Sequence, residues 1–393
     1  MSPKKKPSKA AGAGAGTPRV KASVAHVGRP RREAGAKIIK EADRMYREIL
    51  KTGSTGMKFP IRSLTNVEYN DKVGYLRLLD RKVERRLSYT TAKTFAQSMR
   101  MMSEAKRLVD TGDIASKREI YYVAKGEWGE CKFLEQDESD TVMDDVEAAF
   151  EVNREELGFI PEEKGGDVAG RLKVIDANPS TGKSVTIDCE KFGTGAYSIP
   201  SRVDHLEFET TAKFVLVVET SALFQRLVHH EYWRTADCII ISMGGVPTRA
   251  CRRFIRILAD SRRIPVYVFT DGDPYGYGNI YRTLKVGSGN AAHVNQFFCV
   301  PQATFLGVTP DDIEKYDLKD VTHPLTENDI KRAKDSLKND PFIRHHRKWQ
   351  QALKKMIELG VRIEQQAFAK HGLNYVLTKY LPDKLKDPKQ FLP

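Results

Sequence analysis

Short apolar runs alternate with amphipathic segments between residues 211 and 310. The apolar runs, which predict buried strands, span 214–218, 238–242 and 266–270. The amphipathic segments predict helices over 221–229, 248–260 and 275–284. The rest of the chain, 320–393, is predicted to be mainly helical, with one buried face formed by Trp349, Leu353, Met356 and Ile357. Repeated strand–helix units imply a parallel sheet with right-handed crossovers, so the fold class is mixed α/β with a Rossmann-like sheet.

The N-terminal part of the chain shows a different pattern. Residues 1–36 combine lysine runs with an Ala-Gly repeat, which is typical of a disordered basic tail. A first helix is predicted over 37–52, and Gly53 ends it. Its apolar face consists of Ile38, Ala42, Met45, Tyr46 and Ile49. We expect this face to pack either on the rest of the chain or on a partner.

Residues 65–160 predict a small mixed domain. Helical segments are expected over 91–109, 116–122, 141–150 and 153–157. In the last of them, Asn153 and Glu156 have the spacing of a capping box. The order of helix, turn, helix and then strands is the outline of a winged-helix DNA-binding domain.

Residues 161–210 predict a β-rich connector, within which one segment nearly matches a phosphate-binding P-loop. This segment is Ala177-Asn-Pro-Ser-Thr-Gly182-Lys183-Ser184, with alanine in place of the first glycine of the motif. A P-loop must open a helix, whereas the Val185-Thr-Ile-Asp-Cys that follows is typical of a strand. We therefore predict a hairpin turn here and no ATP site.

Composition narrows the class of partner. The chain has 393 residues and a formal net charge of +13, which favours an anionic partner, either nucleic acid or an acidic membrane surface. No apolar run approaches the roughly 18 residues that span a bilayer, and the N-terminus lacks a signal-peptide core, so a soluble cytosolic protein is expected. The five cysteines have no paired spacing and predict reduced thiols, neither a disulfide framework nor a zinc site.

Carboxylates follow two of the predicted strands. Glu219 comes directly after 214–218, and Asp271-Gly-Asp273 comes after 266–270. Because the carboxyl ends of parallel strands meet at one edge of a sheet, the three side chains are expected to converge there. Their mutual repulsion calls for a cation, and oxygen ligands suit Mg2+ that keeps waters for a phosphate. The alternative is that Glu219 caps the helix that follows.

The predicted helix 248–260 carries an arginine stripe. Its members are Arg249, Arg252, Arg253 and Arg256. They share one face, and guanidinium groups suit phosphate oxygens, so an anion-binding surface is predicted. A plain solvated face is the alternative.

The residues alone leave the nucleophile open. His229-His230 and His345-His346 lie in charged, helical contexts that are more typical of a surface than of a catalytic site. Tyr122 is a candidate, because it follows Lys117 and Arg118 in a basic helical stretch. A phenol with a pKa of about 10 needs a nearby cation to attack phosphorus, however, and a Tyr-Tyr pair is usually core plus surface.

A series of motifs lies in order along the chain. They are Ser116-Lys-Arg-Glu-Ile-Tyr-Tyr122, Val-Val-Glu219, Gly245-Val-Pro-Thr-Arg-Ala-Cys-Arg-Arg-Phe254, Asp271-Gly-Asp-Pro-Tyr-Gly276, Phe305-Leu-Gly-Val-Thr-Pro310, Leu325-Thr-Glu-Asn-Asp-Ile330 and Glu364-Gln-Gln-Ala367. This set resembles the A subunit of the type IIB DNA topoisomerases (topoisomerase VI), whose relatives include the meiotic double-strand-break proteins. The resemblance runs from about residue 37 to 385. It implies a winged-helix domain over 65–160 and a Toprim domain with a helical extension over 211–393.

The resemblance also implies roles for individual residues. Tyr122 matches the nucleophile that would hold the 5′ end of a broken DNA strand as a phosphotyrosine, and Arg118 matches an arginine that would steady the scissile phosphate. Glu219, Asp271 and Asp273 match the acidic triad that would hold Mg2+, with Glu219 and Asp273 favoured for direct contact. The residues that we expect to contact DNA are Lys117, Arg249, Arg252 and Arg253.

The same resemblance implies partners. The family forms a homodimer in which the tyrosine of one chain works with the metal of the other. Residues 37–64 resemble the part that docks on an ATP-binding B subunit, giving an A2B2 heterotetramer in which ATP is bound by the partner. The expected location is the cytoplasm, on chromosomal DNA.

Thr220 informs the choice within the family. The meiotic relatives more often carry lysine after the triad glutamate, so Thr220 favours a prokaryotic, archaeal-type topoisomerase. Two alternatives stay open: a meiotic-type break initiator, and a non-enzymatic winged-helix DNA-binding protein.

Overall fold

The computed structural model describes residues 19–20, 31–161, 165–177, 182–262 and 264–393. Most of the predicted tail, 1–36, lies outside these ranges. Two parts of it that are described differ from the prediction. Arg19–Val20 forms a short strand, and the first helix begins at Arg31 instead of residue 37.

The N-terminal module is built mainly from helices with small two-stranded sheets between them. In chain order the elements of residues 19–160 are β1 (Arg19–Val20), α1 (Arg31–Thr52), β2 (Gly56–Pro60), β3 (Val67–Asn70), β4 (Tyr75–Leu78), β5 (Lys82–Arg86), α2 (Ala92–Thr111), β6 (Ala115–Ser116), α3 (Lys117–Glu127), α4 (Gln136–Phe150) and β7 (Phe159–Ile160). Strand β1 pairs with residues 208–209 of the middle segment, and Val67 of β3 and Leu76 of β4 pack in the core of the α/β unit, so these strands lie outside the module's own core. A shared apolar core joins α1 through α4. Helices α2, α3 and α4 are present in the predicted region, but β3, β4 and β5 precede them and only β7 follows, so the predicted order of helices before strands holds only in part.

Helix α1 packs on its own chain through only part of the predicted face. Ile38 and Met45 are buried in the core of the N-terminal module. Ala42, Tyr46 and Ile49, which were expected on the same face, are exposed. The helix thus has one apolar strip that is covered and a second that faces outward.

The predicted short helix over 153–157 is wrong. Asn153 and Glu156 do exchange the hydrogen bonds of a capping box, at 2.8 and 3.0 Å. The chain then turns at Gly158, whose φ of +90° suits glycine, and enters β7. Strand β7 pairs in parallel with β6 directly before α3, so no helix can continue here.

The middle of the chain is β-rich, as predicted. Its strands are β8 (Asp167–Gly170), β9 (Leu172–Ala177), β10 (Ser184–Asp188), β11 (Tyr197–Ser198) and β12 (Leu206–Thr210). Strands β9 and β10 pair antiparallel with Ser184 opposite Ala177, so strands flank the P-loop-like segment as the hairpin prediction required. Residues 178–181 themselves lie outside the described ranges.

The C-terminal part forms the predicted α/β unit with a helical extension. Its elements are β13 (Phe214–Val218), α5 (Ser221–His229), α6 (Tyr232–Ala236), β14 (Cys238–Ser242), α7 (Arg249–Arg262), β15 (Val266–Phe269), α8 (Arg282–Lys285), α9 (Asn295–Phe298), β16 (Ala303–Gly307), α10 (Pro310–Lys315), β17 (His323–Pro324), α11 (Glu327–Asn339), α12 (Pro341–His345), α13 (Arg347–Leu359), β18 (Val361–Arg362) and α14 (Leu381–Leu385). Within the predicted helix 275–284, a π-helical turn, Gly276–Tyr281, leads into α8. Trp349, Leu353 and Met356 are buried as predicted.

A six-stranded sheet, in the order β11-β8-β14-β13-β15-β16, organises this unit. Strands β14, β13, β15 and β16 run parallel, and β8 and β11 add an antiparallel edge. Apolar cores cover both faces of the sheet. The predicted mixed α/β class with a parallel sheet is therefore confirmed. In the described part of the chain, no helix is long and apolar enough to cross a membrane.

Candidate active site

Two neighbouring parallel strands deliver the carboxylates to one edge of the sheet. Val218 of β13 lies opposite Phe269 of β15, so the residues that follow each strand emerge side by side. The Glu219 carboxylate accepts a hydrogen bond from the backbone N–H of Asp271 at 2.9 Å. The convergence that the strand pattern predicted is therefore present for these two side chains.

The turn after β15 fixes both aspartates. Asp271 Oδ1 accepts from the backbone N–H of Gln365 at 2.8 Å, and Asp273 Oδ1 accepts from that of Gly276 at 2.5 Å. Gly272, between the aspartates, exchanges backbone hydrogen bonds with Ile363 at 2.8 and 3.2 Å. A Cβ atom at Gly272 would lie 2.7 Å from Ile363 Cγ2, so only glycine fits this approach.

The electrostatics of this edge favour a bound cation. Burial, followed by the charges of Asp271, Asp273 and Glu364, raises the pKa of Glu219 to about 7. Burial, with the charges of Asp273 and Glu364, raises the pKa of Asp271 to about 6. Burial also raises the pKa of Asp273. Simultaneous ionisation of these half-buried, neighbouring carboxylates is unfavourable because their negative charges repel each other. A hard divalent cation bound to their oxygens would offset that repulsion.

Gln365 is a supporting residue that the sequence pattern did not reveal. Besides holding Asp271, its side chain donates to the carbonyl of Phe269 at 2.7 Å and accepts from the Thr220 hydroxyl at 3.4 Å. The Glu364-Gln-Gln-Ala367 motif marked the segment as part of the resemblance, but nothing in its spacing pointed to the sheet edge. Gln365 is fully buried, and it fixes the carboxylates from the far end of the chain.

Thr220, not Glu219, caps helix α5. The Thr220 hydroxyl accepts from the backbone N–H of Leu223 at 3.4 Å, as an N-cap side chain does. The alternative that Glu219 serves as the helix cap is therefore wrong. Its carboxylate is directed to Asp271 instead.

Tyr122 lies on the outer face of α3. Ser116 and Glu119 form a complete capping box that starts this helix. Tyr121 is buried, and its hydroxyl donates to the carbonyl of Leu134 at 3.0 Å, whereas Tyr122 is 55% exposed. The Arg118 guanidinium carbon lies 6.0 Å from the centre of the Tyr122 ring. The tyrosine pair thus divides into one core and one surface residue, and the surface residue sits beside an arginine.

The predicted anion-binding arginine surface is not formed. The Arg249 side chain is only 9% exposed and donates two hydrogen bonds to Glu147 of α4, at 2.6 and 2.8 Å, while His293 Nε2 lies 3.1 Å from the same carboxylate. We call these three residues the interdomain triad. It joins the N-terminal module to the α/β unit, so Arg249 is an internal tie.

Arg252 and Arg253 are internal as well. Arg252 is 6% exposed, and burial lowers its pKa to about 10. Arg253 is 3% exposed and pairs with Asp204 at 2.8 Å. The stripe predicted an open face because the spacing within one helix cannot reveal carboxylates supplied by distant elements. Lys117, the fourth predicted contact, is half-buried and pairs with Asp140 at 2.7 Å.

The tyrosine and the carboxylates belong to different modules of the chain. Within the described residues, no hydrogen bond or ion pair connects Tyr122 or its helix to Glu219, Asp271 or Asp273. The described contacts thus do not join the tyrosine to the carboxylates.

Family models match three successive parts of the chain. Residues 93–159 match type IIB DNA topoisomerase, and residues 162–212 match the all-beta domain in the DNA topoisomerase VI alpha subunit. Residues 214–385 match the Toprim domain shared by the topoisomerase 6 A subunit and Spo11. These three models together cover most of the chain.

Curated relatives match along almost the whole length. The A subunit of type 2 DNA topoisomerase 6 from Methanocaldococcus jannaschii is 50% identical over 365 residues, 93% of this chain and 98% of the relative. The corresponding A subunits from Pyrococcus horikoshii and Archaeoglobus fulgidus are each 36% identical. Those alignments cover 90% and 83% of this chain and 95% and 89% of the relatives.

Proposed function

The chain belongs to the family of type 2 DNA topoisomerase 6 A subunits, and from this premise we propose that it is the DNA-cleaving subunit of an ATP-dependent type IIB topoisomerase. It makes a transient double-strand break, through which a second duplex passes. The observation that carries this function is the pairing, in one chain, of an exposed tyrosine beside an arginine with Glu219 and Asp271 converging at a sheet edge, to which Asp273 adds a third negative charge. The match to topoisomerase subunits, at up to 50% identity among those cited, favours this function over a break initiator or a non-enzymatic DNA-binding protein.

Tyr122 is the proposed nucleophile. Its oxygen forms a bond to a DNA phosphorus atom while the bond from phosphorus to the 3′ oxygen breaks, and the phenol proton passes to the leaving oxygen. The 5′ end stays attached as a phosphotyrosine, so the phosphodiester energy is kept for resealing. Arg118, one helical turn earlier, is placed to offset charge on the phosphate, and the 55% exposure of Tyr122 supports access by DNA.

Glu219, Asp271 and Asp273 are the proposed ligands of a divalent cation, for which we assign Mg2+. Such an ion supplies charge neutralisation and orientation of the phosphate. The protein's own contribution is positional. The backbone N–H groups of Asp271, Gln365 and Gly276 each donate a hydrogen bond to one oxygen of a carboxylate. This bond fixes the orientation of that carboxylate, and so the direction of its second oxygen.

The cleavage unit is proposed to be a homodimer. The separation of Tyr122 and the carboxylates on different modules supports a site completed by a second chain. A B subunit would bind ATP, which agrees with strands, not a helix, flanking the P-loop-like segment. The outward side chains of α1, Tyr46 and Leu50, are 63% and 69% exposed and support a docking role for residues 37–64.

Lys117 remains a proposed contact to the DNA phosphate backbone near Tyr122. To make this contact, its ammonium group would have to leave Asp140 and bind a phosphate instead. The formal net charge of +13 supports binding to duplex DNA. The archaeal relatives support a place on chromosomal DNA in the cytoplasm.

The tyrosine pair offers a matched test of this proposal. Tyr122→Phe should abolish covalent protein–DNA adducts on a denaturing gel while DNA binding in a mobility shift is unchanged. Tyr121→Phe removes a hydroxyl from the neighbouring buried ring and should leave the adducts in place, because that hydroxyl donates to Leu134. Adducts that survive Tyr122→Phe would falsify the nucleophile assignment.

A further inference from the structure

A second cluster of potential metal ligands lies away from the sheet-edge carboxylates. One ligand atom each of Asp71, His345 and His346 lies within 4.8 Å of the others. Asp71 is in the turn between β3 and β4, and the two histidines lie at the junction of α12 and α13. The cluster therefore joins the β3–β4 hairpin to the helical extension. The proposed cleavage reaction does not use it.

The contacts inside the cluster place both imidazoles against the hairpin. His345 Nε2 lies 3.4 Å from Asp71 Oδ1. His346 Nε2 lies 3.3 Å from the Tyr69 hydroxyl, and the Tyr69 ring packs 4.9 Å from the His345 ring, between centroids. A hydroxyl beside one imidazole can orient that ring, as neighbouring groups do for histidines that bind metals.

The backbone around the cluster is well fixed. Asp340 caps α12 by accepting from the backbone N–H groups of Phe342 and Ile343, and it also pairs with the buried Arg282. On the other side, the Asn70 side chain accepts from the backbone N–H of Lys72 at 3.1 Å and so closes the turn that carries Asp71. Only side-chain rotation is thus needed to change the distances between the ligand atoms.

We propose that Asp71, His345 and His346 form a site for a borderline divalent transition metal, of which Zn2+ is the representative. Two imidazole nitrogens and one carboxylate oxygen are a donor set that suits Zn2+ better than Mg2+. Bonds of roughly 2.0–2.2 Å to tetrahedral zinc place neighbouring donors about 3.3–3.5 Å apart. The exposed Asp71 and His345 side chains can close that gap by rotation, and a water completes the fourth position.

The consequence of the site is mechanical. A metal bound here staples the β3–β4 hairpin to the α12–α13 junction and should stabilise the folded chain by mass action. The competing explanation is that Tyr69, Phe342 and the two histidines are only an aromatic packing cluster, with centroid distances of 4.8–5.5 Å. That explanation predicts no metal binding.

The test is zinc titration of the full chain by calorimetry, after chelator treatment and in excess MgCl2 so that the sheet-edge carboxylates are occupied. Wild type should bind one Zn2+ per chain at this site. Asp71→Asn and His345→Ala should each weaken that binding at least about tenfold, because loss of supporting groups alone costs ~10–100-fold. Asp71 is exposed on a turn, so its variant is expected to fold.

The other histidine pair supplies the control. His229-His230, at the end of α5, is also exposed, and its rings are 5.0 Å apart. A His229→Ala, His230→Ala double variant should keep the zinc stoichiometry and the zinc-dependent rise in melting temperature, which Asp71→Asn should lose. Wild type that binds no zinc in excess Mg2+, or an Asp71→Asn variant that binds like wild type, overturns the proposal.

Discussion

At the scale of single residues, the sheet edge works by dividing the oxygens of each carboxylate between two tasks. One oxygen of Glu219 and one of Asp271 accept a backbone N–H, at 2.9 and 2.8 Å. The other oxygen of each has no hydrogen-bond partner among the described residues and is left for a ligand. Removal of one carboxylate charge should therefore disturb the ligand more than the fold.

Glu219→Gln and Asp273→Asn test this division of tasks. Each keeps the shape of the side chain but removes a charge, so we expect Mg2+-dependent DNA cleavage to fall by at least about a hundredfold, beyond the usual loss for a supporting residue. The melting temperature in EDTA should stay near that of wild type. Cleavage assays across a MgCl2 series give the measurement.

Glu231→Gln is the control for these variants, because Glu231 is an exposed carboxylate paired with Arg234 on α6. Its cleavage rate should match wild type at every Mg2+ concentration. If Glu219→Gln cleaves like Glu231→Gln, the metal assignment fails.

The positions of the carboxylates could be predicted from the sequence because each follows a buried strand, and parallel strands share an edge. The residues that form hydrogen bonds or ion pairs with the predicted site residues could not be predicted from the sequence. Gln365 reaches Asp271 across 94 positions, and Arg249 reaches Glu147 across 102. Such partners depend on tertiary packing, to which hydrophobic periodicity is blind.

At the scale of elements, the interdomain triad is the clearest departure from the sequence pattern. Burial alone would raise the pKa of Glu147, but the charge and two hydrogen bonds of Arg249, together with His293, hold it well below its usual value. Because the folded pKa lies below the unfolded value of 4.5, this contribution to stability is present above about pH 4.5 and is lost as the pH falls.

Glu147→Gln should weaken the contact between α4 and α7. It leaves Arg249 buried without its counter-charge, and removing one partner of a buried pair typically costs about 3–5 kcal/mol. Denaturant titrations at pH 7 and at pH 4 measure the effect. The difference in the free energy of unfolding between variant and wild type should be large at pH 7 and should become smaller toward pH 4.

A surface pair gives the comparison. Glu231→Gln breaks an exposed contact with Arg234, and exposed pairs contribute about 0–1 kcal/mol. An equal, small change in the free energy of unfolding for Glu147→Gln and Glu231→Gln would mean that the interdomain triad does not hold the modules together.

Elements were easier to predict where one period dominated. Strands β13 and β14 and helix α5 have the predicted bounds, because apolar runs and a capping threonine mark their ends. The short helix over 153–157 failed for a local reason. The same side chains that can open a helix here close a turn, and β7 pairs with β6 immediately afterwards.

At the scale of the whole molecule, the order of modules followed from the sequence, but their relation did not. Composition and motifs placed a basic tail, a small mixed domain and a β-rich connector before an α/β part. The hydrophobic pattern did not indicate that the tyrosine helix would lie apart from the carboxylate edge, because that depends on how the two parts pack; only the family resemblance implied a tyrosine and a metal from different chains.

A mixed dimer tests the proposed division of the site between chains. One chain carries Tyr122→Phe and the other Glu219→Gln, with different tags so that the mixed species can be purified. If the tyrosine of one chain works with the carboxylates of the other, one of the two sites is intact and the dimer should nick one DNA strand. Agarose gels of supercoiled plasmid under denaturing conditions measure the nick.

Each parent homodimer serves as a control and should give no nicks. A mixed dimer without nicking activity would indicate that each chain uses its own tyrosine with its own carboxylates, because both sites are then defective.

Further hydrogen bonds, besides those of the interdomain triad, connect the two parts of the chain. Arg62 donates to Asp145 of α4 at 2.8 Å and to the Asn290 carbonyl at 3.2 Å, and Asn295 donates to the Leu76 carbonyl of β4 at 3.0 Å. These bonds fasten the tyrosine-bearing half of a chain to its own carboxylate-bearing half. When the two ends of a broken duplex separate to let another duplex through, we therefore expect each chain to move as one rigid body. The gap should then open at the interface between the two chains. Spin-label distances measured within one chain should stay constant during ATP-driven opening, while distances between chains lengthen; a change within the chain would place the hinge there instead.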